Sequence, residues 1–330
     1  MMTKELYQNF IGMDIGKFEI VVGIHGSKKI HSFENNQEGW KQFVKSWKDE
    51  LKQALIVLET TGGYELGIIL YLNKLKYKVH RANTRQVKNF IRSYGQAAKT
   101  DTLDALALAR YGFERHQNLK LFKANKNAFK LYELAQRRCD LKKLLIQEKN
   151  RAQAPRCNDI IKKSCQTIIQ AINEQVQSID KHLQALIAQD LILKEKQEIL
   201  QSIPGIGPIT ARELICFMPE LGVMNQKQVA SLAGLAPYAN ESGMFRGQRR
   251  IKGGRKEVRC ALFMAAMAAR NSNSRFKVFY TSLISKGKKP MVALTALMRK
   301  LIVIANAKLK EFTQNQENNS EQCLACVQST

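Results

Sequence analysis

The sequence predicts an α/β domain followed by a largely α-helical region, and three patterns support this fold class. Short apolar runs with strand periodicity come first and then alternate with helix-like segments over residues 1–124. Residues 125–199 show only helical periodicity and contain almost no glycine. A Pro-Gly turn then introduces a mostly helical domain over residues 200–311, followed by a polar tail over residues 312–330. The length of 330 residues is sufficient for two or three domains.

The first domain begins with a strand meander. Residues 10–15 and 18–25 are apolar runs separated by Gly16, and residues 29–33 supply a third strand. The continuous apolar run at residues 55–58 is typical of a strand buried on both faces. The other predicted elements are helices over residues 40–51, 64–75 and 84–94 and a short strand over residues 79–82. A meander followed by alternating helices and strands predicts a mixed sheet.

Four acidic residues stand out against these elements. Asp14 interrupts the first strand, where an uncompensated buried charge is unfavourable, and Glu59 ends the strand at residues 55–58. Asp101 and Asp104 are three residues apart at the start of a helix, so they share one helical face. Turn capping by a strand-end aspartate and the attraction of acids to a helix N-terminus are the simpler explanations of single members. They explain two mutually repelling acids on one face less well.

The segment over residues 125–199 is predicted to be a helical arm. Its leucines recur at heptad-like spacing, and the Ala154-Pro155 pair is the expected break between two helices of a coiled-coil hairpin. The alternative is a plain helical linker within one subunit. The length of the segment favours an arm that contacts a partner subunit.

The sequence Ile203-Pro204-Gly205-Ile206-Gly207-Pro208 has the pattern of a helix-hairpin-helix turn. Gly205 and Gly207 allow backbone N–H groups to approach a phosphate, and the following helix presents its positive end there. A simple connector between two helices remains the alternative. Residues 260–269 and 291–304 are predicted to be apolar helices that pack this domain, and the Gln/Asn-rich tail is predicted to be disordered.

A basic, glycine-rich loop precedes the predicted helix at residues 260–269. Three glycines are interleaved with seven basic residues, which are Arg246, Arg249, Arg250, Lys252, Arg255, Lys256 and Arg259. Charged loops are often only solvated, but this density of Arg and Gly favours a loop that clamps phosphate groups. Ser242 lies at the start of the loop, where its hydroxyl faces a phosphate or simply forms a turn.

The charge of the chain indicates a polyanionic partner. There are 53 Lys and Arg against 28 Asp and Glu, which gives a net charge of +25 and an isoelectric point near 9.8. Nucleic acid is the usual partner of such a protein. A membrane surface is less favoured, because charges break the apolar stretches before the ~18 residues that a membrane span requires.

The N-terminus lacks an apolar signal core, and the seven cysteines are scattered and odd in number. Both features predict a cytoplasmic protein with reduced thiols. Cys323 and Cys326 form an isolated Cys-x-x-Cys pair, which we interpret as incidental because no second ligand pair lies nearby.

The four acids become meaningful as a set if the sheet is RNase H-like, because the first strand and the later parallel strand are then neighbours. A helix after them lays Asp101 and Asp104 over Asp14 and Glu59. Clustered carboxylates repel and require a divalent cation, and hard oxygen ligands of this kind suit Mg²⁺ or Mn²⁺. Two such ions clamp the attacking and leaving oxygens of a phosphodiester.

These motifs resemble those of the Asp-Glu-Asp-Asp (DEDD) transposases of insertion sequences, which are relatives of pilin gene-inverting invertases. The resemblance rests on Gly-Met-Asp14-Ile-Gly-Lys, Leu-Glu59-Thr-Thr-Gly-Gly-Tyr and Lys-Thr-Asp101-Thr-Leu-Asp104-Ala. The later Ile-Pro-Gly-Ile-Gly-Pro, Leu-Ala-Gly-Leu-Ala-Pro and Glu-Ser-Gly segments resemble the second conserved domain of that family. It extends over roughly residues 8–305, with the motifs in the family's order.

The resemblance implies an N-terminal domain similar to RuvC resolvases and a recombinase guided by a structured, bispecific bridge RNA. It also implies that the serine at position 242 is the nucleophile and that the acidic tetrad and its metal complete a composite site across protomers. The expected partners are therefore donor and target DNA, the guide RNA, and further copies of the chain in a dimer or a tetramer.

Two other classes of function remain open from the residues alone. A RuvC-like, metal-dependent endonuclease specific for DNA structure would use the four acids and leave Ser242 with a structural role. A nucleic-acid-binding protein without catalytic activity would need neither. The intact set of acids argues against the second class.

Overall fold

In a computed structural model, the chain is described over residues 7–95, 100–122, 126–155, 158–239, 241–243, 245–247 and 249–328. Side chains are described within these ranges except at residues 126, 245, 246 and 317–328. The chain divides into two compact units, residues 1–125 and 126–330. The helices predicted as an arm belong to the second of these units together with the C-terminal helices.

A five-stranded mixed sheet is the centre of the first unit. The strands are β1 (Asn9–Ile15), β2 (Glu19–Ile24), β3 (Ile30–Glu34), β4 (Ala54–Glu59) and β5 (Lys78–Ala82). Their order across the sheet is β3-β2-β1-β4-β5. β1 pairs antiparallel with β2 and parallel with β4, and β4 pairs parallel with β5. The predicted meander and mixed sheet are therefore confirmed.

Helices cover both faces of this sheet. They are α1 (Gln37–Ser46), α2 (Leu66–Lys74), α3 (Thr84–Ser93) and α4 (Asp101–Arg115), followed by a 3₁₀ turn at His116–Asn118. One face packs Met13 and Ile56 against α1 and α2, and it buries Trp47 completely. The other face packs Phe10 and Val57 among residues of α3 and α4. The Asn83 side chain caps α3, which begins at Thr84.

The second unit is almost entirely helical. Its helices are α5 (Lys126–Ala152), α6 (Asp159–Gln189), α7 (Leu191–Gln201), α8 (Pro208–Phe217), α9 (Gln226–Leu232), α10 (Lys256–Asn271), α11 (Arg275–Ser285) and α12 (Pro290–Gln328). Four short strands lie between α9 and α10: β6 (Pro237–Tyr238), β7 (Glu241–Ser242), β8 (Phe245–Arg246) and β9 (Arg250–Ile251). They form two separate two-stranded ladders, β6 with β9 and β7 with β8.

α5 and α6 form the predicted antiparallel hairpin. Leu141 packs with Ile172 and Val176 in a small core of its own. Nearer the other end of the hairpin, Leu131 of α5 and Ile187 of α6 are part of the main core of the unit. This end of the hairpin therefore packs in the same core as the C-terminal helices.

α12 corrects two expectations. Residues 290–316 are long and apolar enough to cross a membrane by composition alone, although we expected charges to interrupt every such stretch. Leu297, Leu301 and Ala305 on this helix are fully buried, which makes it the central helix of a protein core. The tail predicted to be disordered continues the same helix as far as Gln328. It contains no Pro or Gly to stop a helix that is already nucleated.

Candidate active site

The carboxyl ends of two neighbouring parallel strands bring Asp14 and Glu59 together. Met13 of β1 is in register with Leu58 of β4, so the two acids follow at the next position of each strand. Met13 and Leu58 point into the core that α1 and α2 cover. Because side chains alternate along a strand, Asp14 and Glu59 face the opposite side of the sheet.

α4 lies against that opposite side at close range, because Gly12 lacks a side chain. A Cβ atom built on Gly12 would lie 2.0 Å from the carbonyl oxygen of Ala105 and 2.4 Å from the backbone nitrogen of Ala109. A Cβ atom built on Gly112 of α4 would likewise lie 2.8 Å from Cγ2 of Val57. Ala105 directly follows Asp104, so this contact places the first turn of α4 over the end of β1.

The start of α4 is defined by its cap. The hydroxyl of Thr100 accepts a hydrogen bond from the backbone N–H of Leu103 at 3.3 Å. Asp101 and Asp104 then occupy the first helical turn, where the helix dipole favours negative charge. Asp101 is exposed and Asp104 is half-buried, as expected for two acids on the rim of a cleft.

The pKa of Asp14 depends on the other three acids of the predicted set. Burial is the largest cause of a rise in the pKa of Asp14 from its ordinary value of 3.8 to about 6. Three neighbouring carboxylates add to this rise, in the order Asp104, Asp101 and Glu59. The backbone N–H of Ile15 acts in the opposite direction. The four predicted acids therefore share one electrostatic environment.

This donor set suits a hard divalent cation in type and in charge, because clustered carboxylates are stabilised by a positive ion. Within the described ranges, no three acidic, histidine or cysteine side chains are gathered closely enough to hold one ion in the present conformation. Binding would draw the carboxylates together.

Glu65 is an important residue near this site that the sequence reasoning missed. Its fully buried carboxylate accepts hydrogen bonds from the Thr61 hydroxyl at 2.9 Å and the Gly63 backbone N–H at 3.0 Å. Arg81 of β5 donates to it at 2.5 Å. Burial alone raises the pKa of Glu65, but the backbone hydrogen bonds, Arg81 and Thr61 hold it below its ordinary value.

Glu65 thus closes the loop that follows Glu59. Its sequence signal is an acid placed directly after Thr-Thr-Gly-Gly-Tyr and before an apolar helix. The other side of the loop is held by Thr84, whose hydroxyl donates to the Thr60 carbonyl oxygen at 2.9 Å.

The Pro-Gly turn of the second unit joins α7 to α8, and its two glycines differ. Gly205 has a φ of +94°, and a Cβ atom there would lie 2.6 Å from the carbonyl oxygen of Ala265. Its Cα faces α10, so the need for glycine comes from packing inside the protein and not from a phosphate. Gly207 has open space beside it and precedes the first turn of α8.

Ser242 lies on a tight hairpin and is exposed. It pairs with Phe245, and Gly243 between them has a φ of +55°, which favours glycine. The neighbouring Glu241 accepts a hydrogen bond from Nη2 of Arg249 at 3.3 Å. The Ser242 side chain is thus exposed to solvent, and the residue before it holds an arginine of the basic loop.

Arg255 and Arg259 also have partners within the protein, as Arg249 has in Glu241. Arg255 forms a bidentate ion pair with Glu220, both distances being 2.6 Å, and donates to the carbonyl oxygen of Phe217 at 2.7 Å. Arg259 donates to the carbonyl oxygen of Gly253.

Four of the seven basic side chains in this region are exposed to solvent. The exposed ones are Arg249, Arg250, Lys252 and Lys256. The Arg246 side chain lies outside the described residues, as do those of Cys323 and Cys326 and all of Lys99.

Comparison with known proteins assigns both units to one family. Residues 11–155 match a family model described as a transposase, and residues 197–281 match the transposase IS116/IS110/IS902 family. Both models match in the order in which the sequence motifs occur.

Curated relatives agree with this assignment. A pilin gene-inverting protein of Moraxella bovis is 29% identical over 313 residues, which cover 92% of this chain and 96% of the relative. A protein of insertion element IS110 from Streptomyces coelicolor is 28% identical over 157 residues, 47% of this chain and 38% of the relative. The chain therefore belongs to the IS110 family of DEDD transposases and is an enzyme that recombines DNA.

Proposed function

We propose that the chain cuts and exchanges DNA strands with Ser242 as its nucleophile and an acidic tetrad as its metal site. The tetrad consists of Asp14, Glu59, Asp101 and Asp104. The observation that carries this proposal is geometric, because the register of β1 and β4 brings Asp14 beside Glu59 and the close contact of Gly12 with α4 brings Asp101 and Asp104 to the same end of the sheet. The raised pKa of Asp14, to which the other three acids contribute, supports it.

The first unit is, in this proposal, an RNase H-like (RuvC-like) domain. Support comes from the strand order, in which β1 has an antiparallel neighbour on one side and a parallel neighbour on the other. Support also comes from the placement of the acids at the ends of β1 and β4 and the start of α4, since a sheet edge of this kind gathers side chains from separate elements.

Membership of a DEDD family implies the use of a divalent metal, and Mg²⁺ or Mn²⁺ fits a set of hard carboxylate oxygens. Asp14, Glu59, Asp101 and Asp104 would hold it, and when bound it would stabilise negative charge on a phosphodiester. Without a bound cation, burial and then repulsion among the carboxylates keep a proton on Asp14 up to a pH of about 6.

Ser242 is proposed as the nucleophile because it is exposed on the β7–β8 turn and directly precedes the basic loop in the sequence. Its Oγ forms a bond to phosphorus, the bond from phosphorus to the leaving sugar oxygen breaks, and the hydroxyl proton passes to a base and then to that oxygen. Arg249, Arg250 and Lys252 would hold the non-bridging oxygens as charge develops. A phosphoserine link retains the energy of the phosphodiester, so the strand can be resealed.

The proposed partners are donor DNA, target DNA and a structured bridge RNA, and the net charge of +25 supports several polyanionic ligands. The protein would act in the cytoplasm at the nucleoid. Further copies of the chain would pack on the α5–α6 hairpin, where Ile146, Ile160 and Ile168 are 60%, 81% and 42% exposed.

A metal-dependent endonuclease without a covalent step is the second candidate. The acidic set favours it, because activation of water requires only the first unit. Strand exchange is the better supported of the two, because the relative that matches along 96% of its length is a pilin gene-inverting protein.

The experiment is a strand-cleavage assay. The substrate is a plasmid that carries the ends of the insertion element that encodes the protein, and the RNA transcribed from the flanking non-coding DNA is added. Asn substitution at each of Asp14, Glu59, Asp101 and Asp104 should reduce cleavage at least a hundredfold and leave DNA binding near normal. Asp49→Asn, an exposed acid elsewhere in the first unit, is the matched control. Full cleavage by Asp14→Asn with Mg²⁺ present would contradict the proposed metal site.

A further inference from the structure

A cavity of about 380 Å³ lies on the first unit and takes no part in the chemistry described above. It is bounded by the turn between β2 and β3, the last turn of α3 and the outer face of α4. Ile91 and Leu106 line its apolar floor, and His25, Lys28 and Arg110 stand among its polar lining. Its volume falls within the range of ligand-binding clefts, about 300–1,000 Å³.

One wall of the cavity is a pre-formed stack of two flat groups. The guanidinium carbon of Arg110 lies 3.7 Å from the centre of the Tyr94 ring. Glu114 holds both partners, because it accepts from Arg110 Nε at 2.8 Å and from the Tyr94 hydroxyl at 2.5 Å. The Tyr94 side chain remains 40% exposed. Tyrosine rings and arginine guanidinium planes are the surfaces on which unpaired bases stack.

A row of positive charge connects this wall with the acidic site. Arg85, Lys88 and Arg92 are exposed on α3 and lie three and four residues apart, so they share one face of the helix. The helix contains no acidic residue. It begins at Thr84, which is bonded to the loop after Glu59, and ends immediately before Tyr94.

The cavity also adjoins the acids through α4. Leu103 lines the cavity and directly precedes Asp104 in the first turn of that helix. A strand with a phosphate at the acids and further phosphates along α3 would therefore reach the cavity after a few nucleotides. α3 spans about 15 Å at 1.5 Å per residue.

We propose that this cavity receives one unpaired base of a nucleic-acid strand, stacked on the Tyr94–Arg110 pair, with the strand's phosphates on Lys28 and the basic face of α3. The proposal rests on the proposed function only for the identity of the strand that passes the acids. The occupant is defined by its chemistry, a planar base on a polyanionic backbone, and it belongs either to DNA or to the guide RNA.

The test measures how much the bases contribute to binding by the full-length protein in the presence of EDTA. Affinity for a short oligothymidylate is compared with affinity for an abasic chain of equal length, which has the same phosphates. We expect the wild type to prefer the bases about tenfold or more. Tyr94→Ala should reduce this ratio several-fold, whereas Tyr94→Phe should preserve it because the ring remains.

A second variant acts without removing any interaction. Ala107 lines the cavity, so Ala107→Phe should fill it and lower the ratio in the same way. Phe18→Ala is the matched control, because this ring is 76% exposed and lies outside the cavity lining. The proposal is overturned if folded Ala107→Phe and Tyr94→Ala both keep the wild-type ratio, or if Phe18→Ala lowers it equally.

Two further measurements distinguish DNA from RNA as the bound strand, and the base site from the proposed metal site. Oligouridylate and its abasic ribose counterpart are measured in parallel, and the backbone that shows the larger ratio identifies the strand as DNA or RNA. Asp14→Asn must keep the ratio if the base site is independent of the metal site. Loss of cleavage by that variant tests the proposed function alone.

Discussion

At the scale of single residues, Asp14 is a charge that the fold places where it is unfavourable. Burial and three like charges raise its pKa to about 6, so the metal-free protein is destabilised when Asp14 ionises. The penalty is absent below the ordinary pKa of 3.8, grows between 3.8 and about 6, and is complete above that value. Ionised Asp14 thus lowers the stability of the metal-free protein at the proposed cation site.

Asp14→Asn should therefore stabilise the protein in EDTA at pH 8 by roughly 1–2 kcal/mol, after allowance for solvent screening. The gain should disappear near pH 4, where the aspartate is protonated. Mg²⁺ or Mn²⁺ should raise the free energy of unfolding of the wild type and leave that of the variant unchanged. Chemical denaturation with Asp49→Asn as the control checks each point. An Asp14→Asn protein that is less stable than the wild type in EDTA would contradict this electrostatic picture.

Single residues also mark the limit of what sequence can predict. Asp14, Glu59, Asp101 and Asp104 were predictable as a set because each stands at the end of a recognisable element. The burial of Glu65 depends on Arg81, sixteen positions away, and no local pattern links them. Arg255 looks like its basic neighbours in sequence, but Glu220 on another loop takes up its guanidinium.

At the scale of elements, the position of α4 relative to the sheet decides whether the acids meet. The period-two pattern predicted β1 and β2, and the continuous apolar run predicted β4, because strand periodicity is a local property. The close approach of α4 was not predictable, since it depends on Gly12 in one element and Ala105 in another.

Gly12→Ala should separate α4 from β1, because the new Cβ atom has no room beside Ala105. We expect a loss of about 1–3 kcal/mol in the free energy of unfolding and a larger relative loss of strand cleavage, since Asp101 and Asp104 move with the helix. Gly207→Ala is the stability control, as its Cβ atom would meet open space. Wild-type stability and cleavage in Gly12→Ala would show that this contact does not position the acids.

The proposed contact of the basic loop with DNA can be tested through the salt dependence of binding. Replacing Arg250, Lys252 and Lys256 together with Gln should lower the slope of log affinity against log salt concentration by roughly two to three units for duplex DNA. Replacing the exposed residues Lys41 and Lys45 of α1 and Lys48 just after it removes the same charge and should change the slope much less. Equal slopes in the two triple variants would mean that the loop is not a DNA contact.

Arg255→Gln serves as a further comparison for that experiment. Its bidentate partner Glu220 would lose its cation, so unfolding at lower denaturant is expected without a matching change in the salt slope.

At the scale of the whole molecule, the chemistry is divided between two units. The acids belong to residues 1–125, whereas Ser242 and the basic loop belong to residues 126–330. The α5–α6 hairpin belongs to the second unit, lies between the acids and Ser242 in the sequence, and has exposed isoleucines along its length. Such a division suits a composite site in which one protomer supplies the serine and another supplies the acids.

The tail and the apolar stretch of α12 show why whole-molecule features were harder to predict than strands. A run of Gln and Asn reads as disordered by composition, but it continues a helix whose earlier turns are held by the core. The same core turns a segment with the apolarity of a membrane span into a buried helix. Local composition shows neither the continuation of the helix nor its burial in the core.

The central claim is that strand exchange proceeds through a covalent bond to Ser242. The most direct measurement is to denature the reaction on a substrate nicked near the cut site and to look for DNA attached to protein, with the modified residue mapped by mass spectrometry. We expect an adduct at Ser242 in the wild type, none in Ser242→Ala, and none in Asp14→Asn. Normal cleavage by Ser242→Ala without an adduct in the wild type would contradict the claim and leave a metal-dependent nuclease in its place.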